Sequence, residues 1–153
     1  MFSYFCIMSR ILAVDYGTKR VGLAVTDPLQ LIATGLDTVY AKDIFSYLEN
    51  YFKSEQVECI VVGEPRTLMN RNSSASPHVN GFVKRLKEKY PQMRIERLDE
   101  RFTSQLAQRA MLEGGLKKKD RQNKETVDRI SAVIILQDWL SANPRECRNK
   151  QGN

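Results

Sequence analysis

The chain has 153 residues, 42% of them hydrophobic and 27% charged, which are the size and composition of one globular domain with a real core. Lys and Arg outnumber Asp and Glu by 24 to 18, and the net charge of +6 suits a polyanionic partner, although many basic proteins have none. The sequence has no run of roughly 18 apolar residues, and its apolar opening is too short for a signal peptide. We therefore expect a cytoplasmic protein without a membrane partner, with Met1 or Met8 as its start.

Cysteine and histidine usage narrows the possible chemistry. Cys6, Cys59 and Cys147 are widely spaced and form no CxxC pair, and His78 is the only histidine. This pattern argues against a disulfide framework, a zinc site and a Ser-His-Asp triad. A metal site in this chain must therefore use carboxylate ligands, which favours a hard cation.

The first half of the chain reads as short strands and one helix. Three extended segments are predicted over residues 11–15, 21–26 and 31–39. Turn-forming residues at Gly17 and Asp27 separate them. Helical spacing of apolar residues then predicts a helix over 43–52. The apolar run 59–62 is typical of a buried strand in a parallel sheet.

The second half alternates helices and strands. The pattern predicts a polar loop over 66–77, an amphipathic helix around 79–86, a strand over 95–98, a helix from about 104 to 114, a basic loop over 117–124 and an apolar helix over 125–141. This order predicts an α/β fold in which a mixed sheet has helices on its faces. We expect one domain over residues 10–142, with an N-terminal extension over 1–9 and a disordered tail over 143–153.

The first of three notable acids is Asp15, at the end of the first apolar strand. Gly17 and Gly22 flank it, and glycine allows a backbone or a phosphate to approach closely. A carboxylate beside a buried strand costs free energy unless its charge is compensated. A bound divalent cation would provide that compensation, so Asp15 is a candidate site residue.

The other notable acids lie at the end of the strand over 95–98 and in the first turn of the last helix. Asp99 and Glu100 end that strand, while Asp128 shares a helix face with the apolar residues Ala132, Ile135 and Trp139. Each also has a simpler structural role open to it: Asp128 can complement the helix dipole, and Asp99 or Glu100 can pair with a neighbouring arginine. If the acids meet, they form an oxygen-only cage for one or two cations, the usual device for displacement at a phosphodiester.

Four ordered motifs then carry a family resemblance. They are Asp15-x-Gly17-x-x-Arg20-x-Gly22-x-Ala24, Gly63-x-Pro65, Asp99-Glu100-Arg101-x-Thr103 and Lys124-x-x-Val127-Asp128. Together they resemble the YqgF-type proteins, bacterial relatives of Holliday junction resolvases that are regarded as nucleases processing the 5′ end of precursor 16S ribosomal RNA. The likeness extends over about residues 10–140. One departure is Glu64, where the family commonly has leucine: it is either a solvated acid or an extra group near the metals.

The resemblance implies both a fold and a site. The fold is ribonuclease H-like, with a central five-stranded mixed sheet whose first three strands are antiparallel and which helices flank. The activity is that of a metal-dependent phosphodiesterase using Mg²⁺ or Mn²⁺, with Asp15, Glu100 and Asp128 as catalytic residues and metal ligands. Glu100 is preferred to Asp99 because it matches the family motif and because adjacent strand residues point to opposite faces.

Basic residues near these acids are expected to hold phosphates. They are Arg20, Arg101 and Lys124 beside the acids, and Lys117, Lys118, Lys119 and Arg121 in the basic loop. Alternatively, the lysine run is simply a solvated loop. We expect structured precursor ribosomal RNA as the partner, with DNA as a second possibility, and a monomer or weak dimer.

Other functions remain open on the sequence alone. A Holliday junction resolvase-like DNA endonuclease would use the same acids but needs a two-fold dimer that cuts two strands. A non-catalytic nucleic-acid-binding module, acting in transcription or ribosome assembly, would not need the acids and should not gain stability from divalent cations. The first strand also resembles the phosphate loop of actin- and Hsp70-like ATPases, but those need two such domains.

Overall fold

The computed structural model describes residues 9–64, 76–99 and 124–143. The strands in these ranges are β1 (Arg10–Tyr16), β2 (Arg20–Thr26), β3 (Ala33–Tyr40), β4 (Val57–Glu64) and β5 (Arg94–Asp99). The helices are α1 (Ile44–Ser54), α2 (Ser76–Lys89) and α3 (Lys124–Ala142), and a 3-10 turn (Ala41–Asp43) precedes α1. None of these helices is both long enough and apolar enough to cross a membrane.

The strands form one mixed sheet in the order β3-β2-β1-β4-β5. β2 pairs antiparallel with both β1 and β3, whereas β4 pairs parallel with both β1 and β5. The expected five-stranded mixed sheet with three antiparallel first strands is thus confirmed. Because β1, β4 and β5 are parallel, their carboxyl ends meet at one edge of the sheet, which we call the carboxyl edge.

Helices cover both faces of the sheet, which explains why the central strands read as continuous apolar runs. On one face, side chains of α1 and α2 such as Leu48 and Phe82 pack against Leu12 of β1. On the other face, α3 contributes Ile135 and packs against Ala13 of β1. Each of these five side chains is at most 1% exposed, so alternate residues of β1 belong to two different cores.

The third strand begins later than the sequence predicts, at Ala33 instead of residue 31. The reason is Asp27, whose carboxylate accepts hydrogen bonds from the backbone amides of Leu31 and Ile32, each at 2.8 Å. These bonds hold a turn, so Leu31 and Ile32 are 60% and 66% exposed instead of pairing in the sheet. Burial raises the pKa of Asp27, but the hydrogen bonds from the amides of Ile32, Leu31 and Leu29 outweigh burial and lower it.

Several predicted segments lie wholly or mostly outside the described residues. They are the N-terminal extension (1–9), the polar loop (66–77), the helix from about 104 to 114, the basic loop (117–124) and the tail (143–153). The other elements match their predictions to within a few residues, and the last helix, expected over 125–141, is α3.

The thiol of Cys59 in β4 is expected to be inert in the folded protein. Cys59 is a buried free cysteine, and burial raises the pKa of its thiol from 9.0 to about 12, against a smaller opposing effect of Arg94. Because the thiolate is the reactive species, we expect iodoacetamide at pH 8 to label Cys59 rapidly only after unfolding. Replacing the two other cysteines by serine isolates this thiol, and rapid labelling of the folded protein would contradict the prediction.

The same shift has a consequence for stability at high pH. The pKa of the thiol is higher in the folded state than its ordinary value of 9.0, so the folded state holds this proton more tightly. Its contribution to stability is therefore fully present below pH 9 and is lost as the pH rises toward 12. Urea denaturation at pH 8 and at pH 11 measures this loss. The single-cysteine protein should lose more stability between the two pH values than its Cys59→Ala variant.

Candidate active site

Asp15 lies in β1 one residue before the strand ends, at the carboxyl edge of the sheet. The preceding Leu12 to Val14 are fully buried, whereas Asp15 is half-buried. Strand alternation places Asp15 on the same face as Ala13, the face that α3 covers. The position and burial of Asp15 therefore agree with the prediction of a carboxylate at the rim of a buried strand.

The strand next to Asp15 carries a glycine at the position opposite it. Gly22 of β2 is its cross-strand partner, and Thr38 of β3 is in turn the partner of Gly22. Facing residues in an antiparallel pair lie about 5 Å apart, and Gly22 contributes no side chain at this position. That Gly22 allows a backbone or a phosphate to approach Asp15 closely stays a prediction.

A tight turn joins β1 to β2 directly after Asp15. The amide of Gly17 donates a hydrogen bond to the carbonyl of Arg20 at 3.0 Å. A Cβ atom on Gly17 would lie 2.6 Å from that carbonyl oxygen, closer than real Cβ atoms come. The close packing of the turn therefore requires glycine at position 17. This turn sets the relative positions of Asp15, near the end of β1, and Arg20, at the start of β2.

Gly17→Ala is expected to lower the free energy of unfolding by roughly 1–3 kcal/mol, because the added methyl group forces the carbonyl of Arg20 to move. Gly81→Ala is the matched control, since a Cβ at Gly81 in α2 meets nothing within 4 Å. That control should instead gain about 0.5–1 kcal/mol from a better helix former. Urea denaturation of both variants measures the difference, and equal midpoints would contradict the steric argument.

Arg20 opens β2 and is half-buried, with Tyr40 of β3 as its cross-strand partner. It lies two residues from Gly22, so alternation places it on the same face as Asp15. Arg20 is thus the predicted phosphate-binding residue that the described structure locates near Asp15. Its contact with phosphate stays a prediction.

Helix α3 crosses the face that carries Asp15. Ala132, Ile135 and Trp139 are buried there, which confirms that this stripe of the helix is an apolar contact face. Trp139 lies against Arg94 at the start of β5, with Arg94 Cζ 5.7 Å from its ring. This contact is at the sheet edge opposite to the carboxyl edge.

At its other end, α3 passes over β3. A Cβ placed on Gly35 would lie 3.8 Å from the Cβ of Arg129. Gly35 is in register with Ala13 through β2, two residues before Asp15 along β1. Asp128 directly precedes Arg129 in α3, and Ala13 precedes Asp15 by roughly 7 Å along β1.

The remaining predicted site residues lie in other parts of the chain. Glu100, Arg101, Lys117, Lys118, Lys119 and Arg121 lie outside the described residues, as do the side chains of Asp99, Lys124, Asp128 and Glu64. Within the described ranges, no three His, Cys, Asp or Glu side chains form a cluster that could hold a metal ion. That Asp15, Glu100 and Asp128 meet thus stays a prediction.

Two aromatic residues near Asp15 were not singled out from the sequence. Tyr16 stacks on Phe82 of α2 with ring centroids 4.3 Å apart and a 14° angle between the rings. This stack anchors the end of β1 on the face opposite to Asp15. Tyr40, at the end of β3, is 60% exposed. Strand alternation next to a rim acid could have indicated Tyr16, whereas nothing in the sequence indicates that Tyr40 is exposed.

Comparison with known proteins identifies close relatives. The family model described as "RuvX: Holliday junction resolvase" matches residues 9–142. A protein of Christiangramia forsetii named "Putative pre-16S rRNA nuclease" is 53% identical over 133 residues, which is 87% of this chain and 98% of that protein. A protein of the same name from Bacteroides thetaiotaomicron is 52% identical over 135 residues, 88% of this chain and 98% of its own length.

Solved structures support the fold. The RuvC chain of the structure "T. thermophilus RuvC in complex with Holliday junction substrate" matches with a TM-score of 0.52 and 14% identity over 88% of this chain and 95% of that chain. A second structure of Thermus thermophilus RuvC has a TM-score of 0.50 and 15% identity over 87% and 95% of the two chains. At this identity the likeness shows the fold alone, and it is the ribonuclease H-like fold that the sequence motifs predict.

Proposed function

We propose, because this chain belongs to the RuvX family, that it is a nuclease which processes the 5′ end of precursor 16S ribosomal RNA. The observation that carries the catalytic part is the half-buried Asp15 at the carboxyl edge, opposite Gly22 in the neighbouring strand. The choice of substrate is supported by the printed names of relatives that are more than half identical over nearly the whole domain.

We further propose that Asp15, Glu100 and Asp128 hold one or two divalent cations, Mg²⁺ or Mn²⁺. The donor chemistry of the described part fits, since Asp15 supplies a hard oxygen ligand and its cross-strand partner Gly22 has no side chain to compete for it. The contact of α3 with β3 at Arg129, the residue after Asp128, supports including Asp128 in this site. When bound, such ions lower the pKa of a coordinated water and stabilise charge on the phosphoryl oxygens.

The chain itself contributes position and charge to the reaction. Asp15 is held at the rim by the buried strand before it and by the stack of Tyr16 on Phe82 after it. Arg20 lies on the same face and offers a cation to a phosphate flanking the cleaved bond, as Arg101, Lys124 and the basic loop would. The tight turn at Gly17 holds Asp15 and Arg20 on neighbouring strands close to each other. One nucleic-acid strand can therefore contact both residues.

The description of the family model favours one further candidate, a Holliday junction resolvase-like DNA endonuclease. Both functions use the same acids, so Asp15 does not separate them. They differ in substrate and in assembly, because a junction resolvase needs a two-fold dimer to cut two strands symmetrically. We propose that this chain acts in the cytoplasm on structured RNA as a monomer or weak dimer.

The test offers three substrates to the protein: an RNA spanning the 5′ end of precursor 16S ribosomal RNA, DNA of the same sequence and a four-way DNA junction. Each is incubated with Mg²⁺, Mn²⁺ or EDTA. Metal-dependent cleavage of the RNA that Asp15→Asn abolishes supports the proposal. Paired cuts in the junction, with the RNA intact, would replace it by the resolvase. Binding without any cleavage would leave a binding module.

A further inference from the structure

An exposed aromatic side chain stands at the same sheet edge as Asp15. Tyr40 is one of four large apolar residues exposed in the described ranges, and its side chain is 60% exposed. The other three, Leu29, Leu31 and Ile32, lie in the turn after β2, at the opposite edge. Tyr40 is therefore the exposed apolar residue of this group that a substrate bound at Asp15 can reach.

The sheet register places Tyr40 on the face of Asp15. Tyr40 pairs with Arg20, and Thr38 connects through Gly22 to Asp15. Paired residues of antiparallel strands, and residues two apart in one strand, project from the same face. Two strand spacings and two residues along the strand separate Tyr40 from Asp15, a distance of roughly 12 Å. A nucleic-acid strand bound at Asp15 covers that distance within a few nucleotides.

Basic residues surround this ring. Lys42 Nζ lies 5.9 Å from the centroid of the Tyr40 ring. Lys19 is exposed in the turn after β1, and its carbonyl accepts a hydrogen bond from the amide of Ala41 at 2.8 Å, which ties that turn to the end of β3. Arg20 is the cross-strand partner of Tyr40.

This combination of an exposed ring and nearby cations has a specific chemical use. Proteins that bind single-stranded nucleic acid combine basic grooves with aromatic side chains on which unpaired bases stack. Tyr40 is 60% exposed, and Lys42 Nζ over its ring supplies a cation beside the face on which a base would stack. The hydrogen bond from Ala41 to Lys19 fixes the backbone next to it, so that little entropy is lost when a base binds.

We propose that Tyr40 is a stacking platform for an unpaired base within a few nucleotides of the cleaved phosphate. Lys19 and Lys42 hold the phosphates on either side of that base. The substrate class is then a strand with an unpaired segment beside the cleavage site, as opposed to a continuous duplex. This inference rests on the proposed nuclease function for its location but not for its test.

The test measures binding in the Asp15→Asn background without added divalent cations, so that the RNA stays intact during the measurement. Two RNAs of equal length are compared by fluorescence anisotropy, one with an unpaired segment and one fully duplex. Tyr40→Ala is expected to weaken binding of the unpaired RNA by about 5- to 150-fold, the range of one lost stacking interaction, with little change for the duplex. Tyr40→Phe and Tyr40→Trp should retain binding of the unpaired RNA, whereas Tyr40→Leu should lose it. Leu31→Ala, at the opposite edge, is the control and should bind both RNAs normally.

A direct readout separates stacking from a structural role. A 2-aminopurine base in the unpaired segment should be quenched by the protein with Tyr40 intact and by Tyr40→Phe, but not by Tyr40→Ala or Tyr40→Leu. Normal binding by Tyr40→Ala, or equal weakening on both RNAs, would overturn the platform. If the parent protein cleaves nothing but the base is still quenched through Tyr40, the platform stands and the nuclease proposal fails.

Discussion

Asp15→Asn is expected to slow RNA cleavage by a factor on the order of 10²–10³, because removing one carboxylate from a metal site costs several kcal/mol of transition-state stabilisation. Asparagine has almost the same shape, and Asp15 is only half-buried, so the fold should survive the change. Single-turnover cleavage of the precursor RNA with saturating enzyme and Mg²⁺ measures the effect, because it isolates the chemical step from product release.

The variant should also respond differently to metal in the absence of RNA. A cation that binds only the folded state raises the melting temperature, so Mg²⁺ or Mn²⁺ should stabilise the unmodified protein more than Asp15→Asn. Asp138→Asn is the matched control, since Asp138 lies on the exposed side of α3 in its second half. If Asp138→Asn loses as much activity as Asp15→Asn, the role assigned to Asp15 is wrong.

Phe82→Ala is expected to reduce the free energy of unfolding by about 3–5 kcal/mol, the usual cost of removing a buried phenyl ring. Phe82 is 1% exposed and belongs to the core beneath β1 and β2. Its ring contacts both Tyr16, at 4.3 Å between centroids, and Phe45, at 5.6 Å. Urea denaturation measures the loss, and a midpoint within error of the unmodified protein would contradict the packing argument.

A milder substitution separates stability from positioning of the site. Phe82→Leu keeps an apolar side chain but removes the stack on Tyr16, worth about 0.5–1.5 kcal/mol beyond its buried area. Because Tyr16 directly follows Asp15, we expect a lower cleavage rate even where the variant is fully folded. Leu86→Ala in the same helix is the control. It should be less stable than Phe82→Leu but should cleave RNA at the rate of the unmodified protein. The reverse order of rates would show that the stack does not position Asp15.

Much of the sheet is readable from the sequence because its central strands are buried on both faces. The apolar runs of β1 and β4 are too short for buried helices, so their length indicates buried strands. The start of β3 was predicted too early because Leu31 and Ile32 are as apolar as strand residues, whereas the carboxylate of Asp27 holds their amides in a turn. That competition between side chain and sheet is decided by local hydrogen bonds that hydrophobic patterning does not record.

The candidate site is only partly readable for a different reason. Asp15 was identifiable because the strand that carries it and the glycines that flank it are neighbours in sequence. Whether Asp128 meets Asp15 depends on how α3 crosses the sheet, and that crossing is decided by its packing on Gly35 and by the buried stripe around Ala132. The exposure of Tyr40 depends likewise on β3 being the edge strand, a property of the strand order.

The packing of α3 on the first strands has a consequence for biosynthesis. β1, β2 and β3 are joined by short turns and pair with their neighbours, so they have the local contacts that form early. The helix that covers them comes from the far end of the chain. Domains are made from the N-terminus at about 5–20 residues per second, so an unfinished chain contains Asp15 but lacks Asp128 and exposes one face of its sheet. We therefore expect a nascent chain to remain inactive, and to need protection from aggregation, until its last helix has left the ribosome.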